Sequence, residues 1–258
     1  FERNELPRVI GDHQIAIDDH SYMPTELVRQ CKDLKHIVFL GTGAASYMNV
    51  AELEALGVKV HTIKGYGDTA VAEHTIALMM ACCRDLARMD RNIRRDVWLP
   101  QEGVQVLGKT LGIVGLGGIG AEVARIAKGM GMNVVAWNRT PRPDTTVPLV
   151  ELDALLQDSD VVSLNLTLSD ETRGFLGAER IARMRRGVIL VNTARGALVD
   201  ETALIAALQS GQIRHAGLDV FHNEPLKADH PLARLDNVTL SAHAAFRTSE
   251  ASMTLLRR

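Results

Sequence analysis

Three residues of this 258-residue sequence have the types that carbonyl chemistry uses: Arg195, Glu224 and His243. Arg195 follows the apolar run VILVN, Glu224 lies in DVFHNEP, and His243 follows VTLSA. Reducing a carbonyl that sits beside a carboxylate needs a cation to hold that carboxylate, and the planar arginine fork fits one with two hydrogen bonds. It needs a proton donor that works near neutral pH, a task suited to histidine. It also needs an acidic residue to orient the imidazole and favour its charged form. Each residue has a plainer reading. A loop arginine is usually a surface residue, Glu224 before Pro225 can shape a turn, and His243 among small residues can be structural.

Such a trio needs a sheet that carries all three residues to one edge. Residues 107–140 read as one βαβ unit. Residues 110–114 form an apolar run of buried-strand length. The segment Gly115-Leu116-Gly117-Gly118-Ile119-Gly120 matches G-x-G-x-x-G, and Val123, Ala124, Ala127 and Met130 follow at helical spacing. Gly129 and Gly131 end that helix, and residues 133–137 read as the second strand. In such a unit Gly115 allows the turn out of the strand, Gly117 admits a pyrophosphate to the backbone, and Gly120 lets the helix pack closely. The helix N-terminus offers its unpaired N–H groups to the phosphates. With a strand before it and a helix after it, the motif predicts dinucleotide binding. The second strand ends in Asn138-Arg139-Thr140, where NAD-binding units usually carry a carboxylate for the ribose 2′-hydroxyl. No carboxylate stands there to repel a 2′-phosphate, and Arg139 can pair with one. NADP(H) is therefore favoured, with NAD(H) possible if Arg139 is a surface cation stacked on adenine.

Composition narrows the class. With 46% hydrophobic and 23% charged residues and a net charge of −2, the chain is globular, without the basic run or aromatic platform of a nucleic-acid binder. No apolar stretch approaches membrane-spanning length, and the most apolar helix, residues 70–83, is interrupted by Glu73 and His74. No signal peptide is read, so the expected location is cytoplasmic. Cys31, Cys82 and Cys83 are odd in number and lack C-x-x-C spacing, which points to buried thiols rather than a disulfide framework or a metal site.

On the N-terminal side, residues 14–18, 35–40 and 58–63 read as strands, and 24–31 and 49–56 as helices, the second capped by Asn49 and stopped by Gly57. Residues 69–95 read as one long connecting helix, or two. Beyond it, Pro141 to Asp144 reads as a loop. Residues 160–166, 188–192, 216–221 and 238–240 read as strands, and 152–156 and 178–184 as helices, with a further helix capped by Asp200. Alternating strands and helices predict a parallel sheet covered on both faces, with ligands at the carboxyl ends of the strands. The expected division is a first domain of residues 1–67, to which 248–258 return, and a second of 68–247.

The blocks GIVGLGGIG, VAEHTIALMMA, GFLGAERIARMRRGVILVNTARG, HAGLDVFHNEP and LSAHAAFRTSEA resemble the NAD(P)-dependent D-2-hydroxyacid dehydrogenase family, over essentially the whole chain. The resemblance implies an α/β protein with a Rossmann dinucleotide-binding domain and a smaller flavodoxin-like substrate domain. That smaller domain would lack its first strand and helix here and be short at its C-terminus. It implies an oxidoreductase that interconverts a small 2-oxo acid and its D-2-hydroxy acid. Arg195 would bind the oxo acid, His243 would exchange the proton and Glu224 would pair with His243. Asp219 would lie near the nicotinamide carboxamide, Thr193 would belong to the cofactor site, and backbone N–H groups around Gly43 and Ala44 would meet the substrate carboxylate. A homodimer through the cofactor domain and connecting helix is implied too.

Departures from the family pattern narrow the substrate. The substrate loop reads Ser46-Tyr47-Met48-Asn49, and Leu40 stands where phosphoglycerate dehydrogenases usually have an arginine, which argues against a phosphorylated substrate. Gly118 replaces a frequent Arg or Asn, and Thr167 a usual Pro. Three rivals stay open: a cofactor-sensing binding protein of the co-repressor kind, a phosphoglycerate dehydrogenase, and a formate dehydrogenase. A Glu–His pair suits formate oxidation less well, because that reaction needs no proton exchange with a carbonyl oxygen.

Overall fold

The computed structural model describes residues 3–140 and 145–258, so the expected loop Pro141 to Asp144 lies outside the described residues. The chain divides into two compact units, Phe1–Gly67 with Ser249–Arg258, and Asp68–Thr248.

In the smaller unit α1 (Leu6–Ile10), β1 (Ile15–Asp18), α2 (Thr25–Val28), β2 (His36–Phe39), α3 (Val50–Ala55) and β3 (Lys59–Thr62) succeed one another. The strands pair in parallel in the order β1-β2-β3. Ile37 and Phe39 of the middle strand are fully buried and pack with Leu6, Val28, Leu53 and Val58. The Asn49 side chain accepts from the Glu52 N–H at 3.2 Å, which satisfies one of the orphan donors at the start of α3. The C-terminal helix Ser249–Leu256 belongs to this unit.

The larger unit opens with α4 (Asp68–Arg84) and α5 (Leu86–Ile93). They are two helices because Asp85 takes φ +53°, a left-handed conformation that no continuous α-helix contains. Then come β4 (Thr110–Val114), α6 (Gly118–Gly129), β5 (Asn133–Trp137), α7 (Leu152–Asp158), β6 (Val161–Leu164) and α8 (Ala178–Arg183). The unit continues with β7 (Val188–Asn192), α9 (Glu201–Ser210), β8 (Ile213–Leu218), α10 (Pro231–Arg234) and β9 (Val238–Leu240). All six strands are parallel, in the order β5-β4-β6-β7-β8-β9. Leu149 adds an isolated parallel bridge to Ala136 of β5. The chain thus winds outward from β4 in both directions, and the crevice of such a sheet opens where the winding reverses.

Both faces of the sheet are covered. Ile113, Val161, Ile189 and Val191 pack with Leu78 and Met79 of α4 and Val123 and Ala127 of α6, and Cys82 and Cys83 are buried in the same cluster. Val162, Leu164, Leu190 and Leu218 pack with Leu155 and Leu156 of α7, Ile181 of α8 and Leu204 and Leu208 of α9. Coverage on both sides explains why β6 and β7 are buried at every residue and read as continuous apolar runs. β8 begins at Ile213 rather than Ala216. Arg214 and His215 break the apolar run in the sequence, but His215 turns inward and its Nε2 lies 3.0 Å from the Thr239 hydroxyl of β9.

Candidate active site

The strand register draws one line across the larger sheet. Trp137, Val114, Leu164, Asn192, Leu218 and Leu240 are successive cross-strand partners. Each candidate residue of this unit comes within a few positions after its own strand's member of that line. The glycine loop, Asn138-Arg139-Thr140, Thr193 and Arg195, Asp219 and Glu224, and His243 therefore all leave the same edge.

The glycine loop has the space a pyrophosphate needs. Gly115 leaves β4 at φ +99°, and a side chain on Gly117 would meet nothing within 4 Å. A methyl group on Gly120 would overlap the Gly115 carbonyl, so α6 starts hard against the strand. At Gly118 a methyl would overlap the Asp68 carboxylate, the end of a side chain that can turn aside. Ile119 turns its side chain toward the core and packs against the α4–α6 cluster. These features fit a dinucleotide.

The end of β5 holds a correction. Asn138 ties loops together: its Oδ1 accepts from the Leu116 N–H at 3.1 Å and its Nδ2 donates to the Thr140 carbonyl at 2.6 Å. Arg139 is ion-paired with Glu171, on the loop after β6. The sequence shows no carboxylate at the strand end, yet the fold supplies one from 32 residues away.

The trio is fixed by short contacts. His243 Nδ1 lies 2.6 Å from Glu224 Oε2, and Glu224 Oε1 accepts from the Phe221 N–H at 2.9 Å. Burial pushes the Glu224 carboxyl up, but the hydrogen bonds from His243 and Phe221, with the charges of His243 and Arg195, outweigh it and hold the group below the ordinary carboxylate value. Arg195 is thus within electrostatic reach of Glu224. Its main chain is clamped by Asn192, whose Nδ2 donates to the Arg195 carbonyl at 2.9 Å and whose Oδ1 accepts from the Ala194 N–H at 3.0 Å. A side chain on Gly196 would overlap the backbone of Phe221 and His222, so the Arg195 loop rests directly on the segment that leads to Glu224. His222 is an exposed loop residue whose Nε2 donates to the Val199 carbonyl at 2.8 Å.

Asp219 organises the loop that carries His243. It is fully buried, and its oxygens accept from the Ser241 hydroxyl at 2.6 Å, the Ala244 N–H at 3.0 Å and the Ala245 N–H at 2.9 Å. Its carbonyl accepts from the His243 N–H at 2.8 Å. The Ser241 hydroxyl spends its one hydrogen on Asp219, so His74 Nε2, 2.9 Å away on α4, is the donor to Ser241. Burial raises the Asp219 carboxyl, and His74 at 3.5 Å together with the bonds from Ser241, Ala244 and Ala245 more than reverses the effect. This network holds His243 at φ +49°, an uncommon conformation outside glycine. Thr193 is tied inward too, its hydroxyl 2.8 Å from that of Thr75, which itself donates to the Val71 carbonyl. Gly43 and Ala44 belong to the smaller unit, where Ala44–Ser46 forms a 3₁₀ turn and Ala44 is buried. The sequence pattern singles out neither Asn192 nor Ser241, and it marks His74 only as a polar interruption of the apolar helix. The nearest signal is the place of Ser241, two positions before His243 in LSAH.

Residues 76–245 match the family described as D-isomer specific 2-hydroxyacid dehydrogenase, NAD binding domain. This chain belongs to that family. It is 37% identical over 257 residues to the hydroxypyruvate reductase of Thermotoga maritima, covering 97% of this chain and 84% of the relative. It is 35% identical over 262 residues to the D-3-phosphoglycerate dehydrogenase of Archaeoglobus fulgidus, covering 99% of this chain, and so spans about half, 50%, of that relative's length. An acyclic imino acid reductase solved in complex with NADPH and D-Arg superposes with a TM-score of 0.90 at 28% identity, over 100% of this chain and 83% of that one. Family membership identifies the larger unit as a Rossmann nicotinamide-dinucleotide domain of an oxidoreductase family. Among the described residues no helix is long and apolar enough to cross a membrane.

Proposed function

We propose that this chain interconverts a small, unphosphorylated 2-oxo acid and its D-2-hydroxy acid, with NADP(H) or NAD(H) as the hydride carrier. The observation that carries the reading is the 2.6 Å contact between His243 and Glu224, on the sheet edge that also bears the glycine loop. When bound, the nicotinamide supplies or takes up a hydride. Gly115, Gly117 and Gly120 with the start of α6 would hold the pyrophosphate. Arg195 binds the substrate carboxylate and polarises the neighbouring carbonyl. Glu224 takes Nδ1 of His243 and so directs the exchanged proton to Nε2, which gives it to the carbonyl oxygen in reduction and removes it in oxidation. Acid–base help of this kind is worth about 10² to 10⁴ in rate.

Several finer points belong to the same proposal. The role of Gly43 and Ala44 in holding the substrate carboxylate is one. The choice of an unphosphorylated substrate is another, supported by the absence of any Lys or Arg in residues 36–49. A cytoplasmic homodimer is the third. The two domain roles, substrate binding by the smaller unit and cofactor binding by the larger, are the fourth.

The test is oxidation of NADPH and NADH over a panel of 2-oxo acids. Turnover on glyoxylate or hydroxypyruvate supports the reading. Tight cofactor binding with no turnover on any member would transfer the chain to the cofactor-sensing class. In His243→Ala, turnover should fall by about 10² or more while cofactor affinity is nearly kept. Near-normal turnover would remove His243 from the proton-donor role.

A further inference from the structure

We infer that Glu171 sets the cofactor preference of the dinucleotide site by competing with a 2′-phosphate for Arg139. This rests on the dinucleotide reading above. The position that ordinarily reads the ribose is Asn138, whose uncharged amide bonds to Leu116 and to Thr140 and carries no charge toward a phosphate. Discrimination at the 2′ position therefore passes to its neighbour Arg139, whose partner is Glu171. The sheet order makes β5 and β6 the two neighbours of β4. The Arg139–Glu171 pair thus joins the loops on either side of the strand that feeds the glycine loop.

The loop that presents Glu171 is braced. The Thr172 hydroxyl accepts from the Ser169 N–H at 2.7 Å and donates to the Thr167 carbonyl at 2.8 Å, and the Arg173 N–H closes on the Ser169 carbonyl at 2.9 Å. The paired side chains themselves stay open to solvent, 67% exposed for Arg139 and 75% for Glu171. An ion pair so exposed is weakly held, and a ligand can open it.

Once the pair opens, the two cofactors meet different surroundings. A 2′-phosphate brings about −1.5 to −2 charges to Arg139, and it must sit beside the carboxylate it displaces, a like-charge contact. A 2′-hydroxyl adds no charge and can donate to the Glu171 carboxylate, the service a strand-end Asp or Glu gives in NAD-binding units. Glu171 opposes the phosphate that Arg139 attracts, and the preference is the difference between the two effects. The carboxylate missing from the strand end is in this way restored through space, beside a cation that strand-end carboxylates do not usually face.

The experiment is calorimetric titration of the unsubstituted chain and of Glu171→Gln with NADPH and with NADH, at low and at high salt. Glutamine keeps the size and removes the charge. Glu171→Gln should bind NADPH about fivefold tighter or more at low salt, the scale of one like charge at close range. The gain should shrink as salt is added. NADH affinity should stay within about twofold or weaken, since only a hydrogen bond to a charged acceptor is altered. An unchanged NADPH affinity, or an equal change for both cofactors, would overturn the inference. An unsubstituted chain that binds neither cofactor would overturn the dinucleotide reading itself, and this inference with it.

Discussion

At the scale of single residues, the candidate site depends on Asp219 as much as on Arg195, Glu224 and His243. Its buried carboxylate gathers the Ser241 hydroxyl and the N–H groups of Ala244 and Ala245, while its carbonyl takes the N–H of His243. Asp219→Asn keeps the shape but turns one acceptor into a donor that faces other donors. We expect a loss of about 2–3 kcal/mol in stability, the scale of buried hydrogen bonds to a charged group. We also expect a larger loss in kcat than in cofactor affinity, because the segment carrying His243 is released while the glycine loop is untouched. Urea unfolding together with steady-state kinetics checks both, and unaltered kcat would show that the loop holds its shape by other means. The places of Arg195, Glu224 and His243 just after strand ends were legible in the alternation of strands and helices, whereas their grouping as a trio came from the family resemblance. His74 and Glu171 were not. Their partners lie 167 and 32 residues away in sequence, and only the folded sheet brings them together.

At the scale of elements, two close approaches carry the arrangement. A methyl on Gly120 has no room, since the obstacle is the Gly115 carbonyl, a backbone atom that cannot swing aside. Gly120→Ala should cost about 1–3 kcal/mol by overpacking, and it should weaken NADPH binding more than it slows turnover at saturating cofactor. Thermal unfolding and a cofactor titration measure the two effects, and normal affinity would mean that α6 shifts without disturbing the loop. The second approach is Gly196 against the backbone of Phe221 and His222, which sets the Arg195 loop on the segment leading to Glu224. The βαβ unit was legible down to its residues because one short run contains its strand, turn, helix and second strand. The ends of β8 were not, and residues 69–95 read equally as one helix or two. Burial of His215 against β9 overrode the polar look of the start of β8, and Asp85 breaks the long helix through backbone conformation alone. The short helices α1 and α10 offer too few residues for a period to show.

At the scale of the molecule, acid should weaken the larger unit at a known place. Burial, and then the charges of Arg91, Arg214 and Arg88, lower His215 from 6.5 to about 4, so the imidazole facing Asp85 at 3.7 Å is neutral near pH 7 and the contact is no ion pair there. Between about 4 and 6.5 the unfolded chain binds the proton and the folded chain does not. Stability therefore rises with pH across that window and is lost on acidification, by about 3 kcal/mol in all. In His215→Gln, which keeps a hydrogen-bonding side chain toward Thr239 but cannot charge, this part of the loss should vanish. Urea midpoints on both sides of the window decide it, and parallel slopes in the two proteins would refute the assignment.

The two adjacent cysteines on α4 carry one more consequence. Burial raises Cys82 to about 12 and Cys83 to about 11, so in the closed fold at neutral pH almost no thiolate exists to attack a disulfide reagent. Modification must wait for α4 to lift from the sheet. These thiols are a built-in clock: the rate at which they label reports how often the molecule breathes, and cofactor that grips the neighbouring glycine loop should slow it.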